Sequence, residues 1–437
     1  MFCGDRSNSR RPGVTKSDEA VADPIAPVEE RARTSGGRFE FLDALRGLAA
    51  VAVVIGHCAE LVWPGYARFS AADFGAGQFG VFVFFLVSGF IIPASLERGR
   101  SLGAFWVGRF FRLFPLFWIA LIAAMILHSV GRYSLPPAFT ANFGWHLATN
   151  FTMAQFFLGT PDTQVLIPGW TLSYELVFYL FVSLLLIGGL NRRSVPLAVL
   201  ALGSILFAGI GLPIAMVNGA DANLITRLLV ALATVAVAVF FARRAATRRS
   251  AITAVLLAAI AIPLVLNQPG PSGYSAVIFA TMFVGTVLYR MTAGEITPKL
   301  GWRVFWLAVF VILGLKLLQL HPTVDPATGA SVTWRKEAFT LIAAYLLFAA
   351  ALQLRRHSFP RPLLFLGRIS FSLYLIHPLI LKAVPHWTVP FAGIPATWLT
   401  WSSWMIAAIA LATLTYYAIE KPFHTLGHRM IAKMDAP

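Results

Sequence analysis

Charged residues are scarce in this chain of 437 residues. Asp, Glu, Lys and Arg make up 12% of it, about half the share of an ordinary soluble domain. Hydrophobic residues make up 58%. This combination excludes a soluble globular enzyme and a disordered protein, and it leaves a polytopic helical membrane protein.

Cysteine is also rare. Cys3 lies in a polar stretch and Cys58 lies in an apolar run. A disulfide scaffold is therefore excluded, and a bond between the two residues is not expected. The cysteine count gives no indication of a metal site, and no metal is predicted.

Long apolar runs dominate the rest of the chain. A helix of about 20 apolar residues crosses the hydrocarbon core of a bilayer, and about 12 runs are long enough. The predicted fold class is therefore all-α, a polytopic bundle of transmembrane helices. The predicted spans lie at 43–63, 79–97, 105–130, 167–189, 195–217, 223–242, 250–267, 272–292, 302–321, 334–354, 364–385 and 398–420.

Basic residues outnumber acidic residues by 35 to 19, which gives a net charge of +16. They form short clusters between the apolar runs rather than a basic face with interleaved aromatic residues, so no nucleic-acid partner is expected. With a cytoplasmic N-terminus, most of them fall in cytoplasmic loops, as the positive-inside rule requires. We therefore predict that both termini are cytoplasmic. The opposite side carries only Arg68, Arg132, Arg335, Lys336 and Lys382.

The predicted domain organisation has three parts. Residues 1–38 are polar and are predicted to form a disordered cytoplasmic tail. Residues 39–425 form the membrane domain, and residues 426–437 form a second cytoplasmic tail. Within the membrane domain, segment 131–166 contains no clear full span and is predicted to be a lid or a re-entrant element.

The first span, FLDALRGLAAVAVVIGH, carries Arg46 near its cytoplasmic end and His57 eleven residues later. Eleven helical residues rise about 16 Å, so His57 lies beyond the midplane. The fourth span begins PGWTLSYELVFYL and places Glu175 at a similar depth. A neutral imidazole beside a carboxylate can take a proton from an attacking hydroxyl. The alternative is that His57 only packs and that Glu175 lies at the interface.

Other polar residues share helical faces. Arg109 and Arg112, in RFFRLFPLFW, are three residues apart and either bind a phosphorylated cytosolic donor or only fix the topology. In LGRISFSLYLIHPLI, Ser370, Tyr374 and His377 lie on one face. They either line a cavity or hydrogen-bond to a neighbouring helix. Lys316, within a span, is expected to snorkel towards the interface.

Six stretches, taken in order, resemble the membrane-bound acyltransferase family 3 over about residues 40–425. They are FLDALRGLAAVAVVIGH, GVFVFFLVSGFII, RFFRLFPLFW, PGWTLSYELVFYL, LGRISFSLYLIHPLI and IEKPF. The resemblance implies an O-acyltransferase of the bacterial inner membrane. Its expected activity moves an acyl group, usually acetyl from acetyl-CoA, to a hydroxyl of a cell-envelope carbohydrate or glycolipid.

The resemblance also implies roles for individual residues. It gives His57 and Glu175 catalytic roles, and it gives Arg46, Arg109 and Arg112 the binding of acyl-CoA. Apart from the resemblance, we predict that Ser173, Tyr374 and His377 bind substrate. The sequence lacks the hydrolase-like extension of some members, so the acceptor is expected to bind within the membrane domain or through a partner protein.

Two alternatives remain at this point. One is an acyltransferase that acts on a small molecule or a lipid, because the motifs reflect the donor chemistry rather than the acceptor. The other is a transporter or flippase, although the repeated halves common in transporters are not evident.

Overall fold

The structure is a computed structural model. It describes residues 39–97, 101–158, 163–208, 224–266, 273–318, 323–324, 331–332, 334–384, 388–391 and 393–434. The predicted tail 1–38 lies outside the described residues.

The described residues are almost entirely helical, which confirms the all-α class. In chain order the helices are α1 Glu40–Val62, α2 Pro64–Ala72, α3 Ala76–Glu97, α4 Leu102–Ser129, α5 Pro137–Ala141, α6 Phe143–Phe151, α7 Gln155–Leu158, α8 Gly169–Ile187, α9 Ser194–Ala208, α10 Leu224–Arg243, α11 Arg248–Leu266, α12 Tyr274–Thr292, α13 Pro298–Leu318, α14 Trp334–Gln353, α15 Arg361–Arg368, α16 Ser370–Ala383, α17 Ala396–Thr415 and α18 Lys421–Met434. A pair of two-residue antiparallel strands, β1 Thr323–Val324 and β2 Ser331–Val332, lies between α13 and α14.

Eight helices in the described part of the chain are long and apolar enough to cross a membrane, or nine if α15 and α16 form one span. The predicted count of about 12 is not confirmed. The predicted spans 195–217, 223–242 and 250–267 correspond to α9, α10 and α11, and residues 209–223 are not described. Segment 131–166 contains the short helices α5, α6 and α7 and no spanning helix among its described residues.

The centre of the bundle is built around α3 and α12, the most buried of the spanning helices. Glycines let backbones touch where these helices cross. A Cβ atom on Gly89 of α3 would lie 1.9 Å from the carbonyl oxygen of Met282 on α12, and one on Gly80 would lie 2.4 Å from that of Ala49 on α1. Small residues permit such approaches in membrane bundles, as the sequence predicts for Gly80 and Gly89.

The predicted span 364–385 is not a straight helix. It breaks at Ile369 into α15 and α16, which are inclined by 69° to each other. On α15, a Cβ atom at Gly367 would lie 2.0 Å from the carbonyl oxygen of Asp43 on α1. This backbone contact fixes α15 against the beginning of α1, and it places α16 beside the rest of α1.

The chain from Ala396 to Met434 is one long helical stretch. Residues Tyr416–Glu420 form a π-helical turn between α17 and α18, a feature that often occurs at functional sites. The helix continues through much of the segment predicted as a tail after residue 425. There α18 packs on α4, with Gly427 directly against the Phe111 side chain.

Lys316 does not snorkel as expected. Its side chain is buried and forms an ion pair with Glu337 of α14. Burying a lone ammonium group costs several kcal/mol, and the carboxylate on the neighbouring helix removes the need to reach the interface.

The crossing of α3 and α12 yields a stability prediction. In Gly89→Ala, the new methyl group meets the Met282 carbonyl, so the two helices must separate. We expect a loss of about 1–3 kcal/mol or more, seen as a lower thermal midpoint of the purified protein. Gly203→Ala on α9 is the matched control, since nothing lies within 4 Å of its Cβ position. Equal midpoints for the two variants would contradict the close crossing.

Candidate active site

A central cavity lies between α1, α3, α4, α8 and α16. It contains about 660 Å³ not filled by protein atoms, part of it open to solvent. Its walls are largely apolar and aromatic, with a few polar groups that converge on the space, as in many ligand sites. The polar lining residues are Arg46, Ser88, Arg109, Arg112, Thr171, Glu175 and Tyr374.

The three arginines predicted to bind the donor meet at this cavity. Arg46 comes from α1, and Arg109 and Arg112 come from α4. The charges of Asp43, Glu175 and Glu420 act on Arg46 and so offset part of the positive charge. Charges within a bilayer-spanning region are usually paired or functional. The three arginines lie near carboxylates and also line a cavity.

Glu175 is held at the cavity wall by two hydroxyl groups. Tyr179, one turn later on α8, donates a hydrogen bond to its carboxylate, and Ser88 of α3 donates a second bond over 3.4 Å. Arg109 lies against the same tyrosine, with its guanidinium carbon 5.1 Å from the ring centre. These contacts make Glu175 part of the arginine-lined cavity.

A second cavity, which we call the vestibule, adjoins the first. It lies between α3, α4 and α18 and contains about 730 Å³ not filled by protein atoms, part of it open to solvent. Arg109, Arg112 and Ile91 line both cavities, so the two spaces meet at these residues. The remaining lining residues are Ser95, Ala104, Phe105, Gly108, His424, His428 and Ile431.

His57 lies further along α1 and is paired with His377 of α16. The distance from Nδ1 of His57 to Nε2 of His377 is 2.9 Å. Nδ1 of His377 is 3.2 Å from the carbonyl oxygen of Leu373. A carbonyl oxygen only accepts hydrogen bonds, so in neutral His377 this nitrogen carries the proton.

These contacts assign the tautomers of the histidine pair. With its proton on Nδ1, His377 accepts at Nε2, and His57 is therefore the donor through its own Nδ1. Nε2 of His57 then has an unprotonated lone pair, which a general base needs. This nitrogen faces bare backbone, because a Cβ atom on Gly77 would lie 3.2 Å from it.

Tyr374 lies between the central cavity and the histidine pair. It lines the cavity, and its ring centre is 6.2 Å from that of His377, one turn further along α16. Its hydroxyl is 2.8 Å from the hydroxyl of Thr171. Tyr374 therefore contacts both the central cavity and the histidine pair.

The structure gives His57 and Glu175, which are predicted to lie at similar depth, different partners. His57 bonds to His377, and the carboxylate whose charge acts on it is Glu60, one turn further along α1. Glu175 instead bonds to Tyr179 and to Ser88. Similar predicted depth in the membrane does not fix which helix faces which, and α16 lies next to the His57 face of α1.

Ser173 does not line either cavity. Its buried hydroxyl donates to the carbonyl oxygen of Met153, over 2.5 Å, and so ties the α6–α7 connection to α8. Its role in substrate binding stays a prediction, as do the roles of the other predicted site residues.

Sequence reasoning missed three side chains at the site. Tyr179 stands four residues after Glu175, and this helical spacing was a usable signal. Ser372 donates to Glu420 over 2.7 Å, and Glu420 faces Arg46 and Arg112. The contact of Ser88 with Glu175 joins residues 87 positions apart, and nothing in the local sequence indicates it.

Among the described residues, no group of His, Cys, Asp and Glu is placed to hold a metal ion.

A family model described as an acyltransferase domain matches residues 39–419. The chain belongs to acyltransferase family 3. With its apolar helices, this makes the protein a multi-pass membrane acyltransferase.

Three similar proteins align with this chain over different fractions of its length. Nodulation protein 10 of Rhizobium leguminosarum bv. viciae is 25% identical over 431 residues, covering 92% of this chain and 97% of that protein. Acyltransferase MdmB of Streptomyces mycarofaciens is 32% identical over 152 residues, 33% of this chain and 38% of MdmB. YrhL of Bacillus subtilis (strain 168), provisionally named a peptidoglycan O-acetyltransferase, is 24% identical over 415 residues, 90% of this chain and 56% of YrhL.

The space beside Nε2 of His57 can be tested with one methyl group. Gly77→Ala places a Cβ atom 3.2 Å from that nitrogen, where it hinders a reacting group without removing a polar contact. We expect acyl transfer to fall at least about tenfold, with an unchanged thermal midpoint. Gly65→Ala, with open space around its Cβ position, is the control and should keep full activity. Full activity in Gly77→Ala would place the reaction elsewhere.

Proposed function

We propose that this protein moves an acetyl group from cytosolic acetyl-CoA to a hydroxyl of a cell-envelope carbohydrate or glycolipid. The observation that carries the proposal is the arrangement of the two cavities and the histidine pair. A basic vestibule leads into an arginine-lined cavity, and a histidine with a free ring nitrogen lies beyond it.

The donor enters from the end of the bundle where α1 begins. We place this end in the cytosol of a bacterial inner membrane, on the basis of the positive-inside distribution of Lys and Arg. Arg109 and Arg112 stand where the vestibule meets the central cavity. Guanidinium groups bind phosphate oxygens in bidentate fashion, so these two residues hold the diphosphate of the donor. Arg46, deeper in the cavity, assists them.

The acyl end then extends past Tyr374 towards His57. The pantetheine portion of the donor is uncharged, which suits the apolar wall of the central cavity. Along α1, Arg46 and His57 are separated by a rise of about 16 Å. The thioester carbonyl is thereby brought to the nitrogen that faces Gly77.

The chemical step is a proton-coupled acyl transfer. Nε2 of His57 takes the proton of the acceptor hydroxyl as its oxygen bonds to the thioester carbonyl carbon. The carbon–sulfur bond then breaks, and the thiolate of CoA takes the proton back from the imidazolium. His377 is a positioning residue, since its Nε2 keeps the proton of His57 on Nδ1.

Glu175 acts on the donor side of the site. It does not orient His57, but it stands among the arginines with Tyr179 and Ser88. We propose that it fixes Arg109 and Arg46 so that their charges meet the donor phosphates in one orientation. Its role is therefore one of positioning rather than of acid–base catalysis.

The acceptor arrives from the opposite end of the bundle. The provisional name of YrhL points to a glycan hydroxyl, and the membrane location suits a lipid-linked glycan. A partner protein that delivers the acceptor fits the same arrangement. Transfer can occur directly with both substrates bound, or through an acyl-histidine that gives ping-pong kinetics.

The test compares envelope carbohydrate and lipid extracts by mass spectrometry. Cells that carry the gene should contain a molecule heavier by one acyl unit than cells without it. His57→Ala should abolish this shift at equal protein level in the membrane, because the acceptor loses its base; general bases contribute about 10²–10⁴-fold.

His357→Ala removes an exposed histidine that lines neither cavity, and it is the matched control. A shift that persists in His57→Ala would remove this residue from the mechanism. The absence of a shift in every extract would contradict an envelope acceptor and favour a small-molecule acceptor or a transporter.

A further inference from the structure

The vestibule contains two histidines that the proposed reaction does not use. His424 and His428 are one turn apart on α18, and their ring centres are 4.5 Å from each other. Both line the vestibule, together with Ser95, Arg109 and Arg112. No carboxylate belongs to this lining in the described part of the chain. The vestibule is therefore chemically suited to an anion.

Local packing of α18 on α4 creates this space. Gly427 lies directly against Phe111, so the two helices approach closely there. Gly108 of α4 lies opposite Ile431 of α18, and it lines the vestibule together with Ala104 and the two histidines. The space is thus a product of small residues on α4 and of the orientation of α18.

The charges are distributed differently in the two cavities. At the central cavity, Glu175, which lines it, and Glu420, which does not, both act electrostatically on the arginines. At the far side of the vestibule, the polar lining consists of Ser95, His424 and His428. These three side chains can donate hydrogen bonds to a second anionic group of the acyl donor. The first anionic group is the diphosphate at Arg109 and Arg112.

We propose that His424 and His428 bind the terminal 3′-phosphate of the CoA donor, and that α18 is therefore part of the donor site. The inference rests on the proposed function. In CoA the thiol, the pantetheine, the diphosphate and the 3′-phosphorylated ribose follow one another in this order. With the thioester at His57 and the diphosphate at the two arginines, the 3′-phosphate lies in the vestibule, at the histidines.

The experiment measures the affinity of the purified full-length protein for acetyl-CoA and for acetyl-3′-dephospho-CoA. We expect the wild-type protein to prefer acetyl-CoA by about ten- to hundredfold, because charge-assisted hydrogen bonds are lost with the phosphate. In the double variant His424→Ala/His428→Ala, this preference should fall to about one. The affinity for the dephospho donor should stay unchanged, which shows that the variant is folded.

Arg429→Ala is the matched control. This exposed residue on α18 follows His428 directly but does not line the vestibule. The substitution removes a full positive charge, so it would lower the preference for acetyl-CoA if general electrostatics caused that preference. If the histidines form a specific phosphate site, the preference should stay unchanged.

Three outcomes would overturn the inference. A wild-type protein that binds both donors equally has no 3′-phosphate site. A double variant that keeps the preference places the phosphate elsewhere, and an equal loss in Arg429→Ala indicates general electrostatics. Failure of the wild-type protein to bind either donor would instead overturn the proposed function itself.

Discussion

The structure depends on the electrostatic interaction between arginines and neighbouring carboxylates within the membrane bundle. A lone charge at the centre of a spanning helix costs about 2.5–3.5 kcal/mol on insertion scales. Here Arg46 and Arg109 stand near Asp43, Glu175 and Glu420, which offset that charge. The carboxylates come from α1, α8 and the π-helical turn before α18. The electrostatic attraction between these carboxylates and the arginines therefore links helices that are distant in sequence. The guanidinium groups remain at the wall of a cavity.

This arrangement separates two kinds of chemistry along the bundle. At one end, positive charge and hydrogen-bond donors suit the phosphates of a donor. At the other end, His57 and His377 form a pair whose hydrogen bonds leave one ring nitrogen unprotonated. Tyr374 stands between the two regions. In the proposed mechanism, the arginines therefore anchor the donor by charge in one region, and the proton is accepted in the other.

Much of the site was predictable because its residues are local to single helices. Arg46 and His57 share α1, Arg109 and Arg112 share α4, and periodicity places them correctly. The bond between His57 and His377 joins residues 320 positions apart, so helix packing alone decides it. The same reason explains why the similar depth of His57 and Glu175 does not predict their partners, and why the sequence does not indicate the break at residue 369. Local patterns indicate where the helices lie along the chain, but they do not specify which helix faces meet.

The most direct measurement is an experimental structure of the full chain with a non-hydrolysable acyl-CoA analogue bound. We predict the diphosphate at Arg109 and Arg112, the chain of the donor passing Tyr374, and the acyl carbonyl beside Nε2 of His57. An analogue whose acyl carbonyl lies at the other end of the bundle, or remains in the vestibule, would contradict the proposed mechanism.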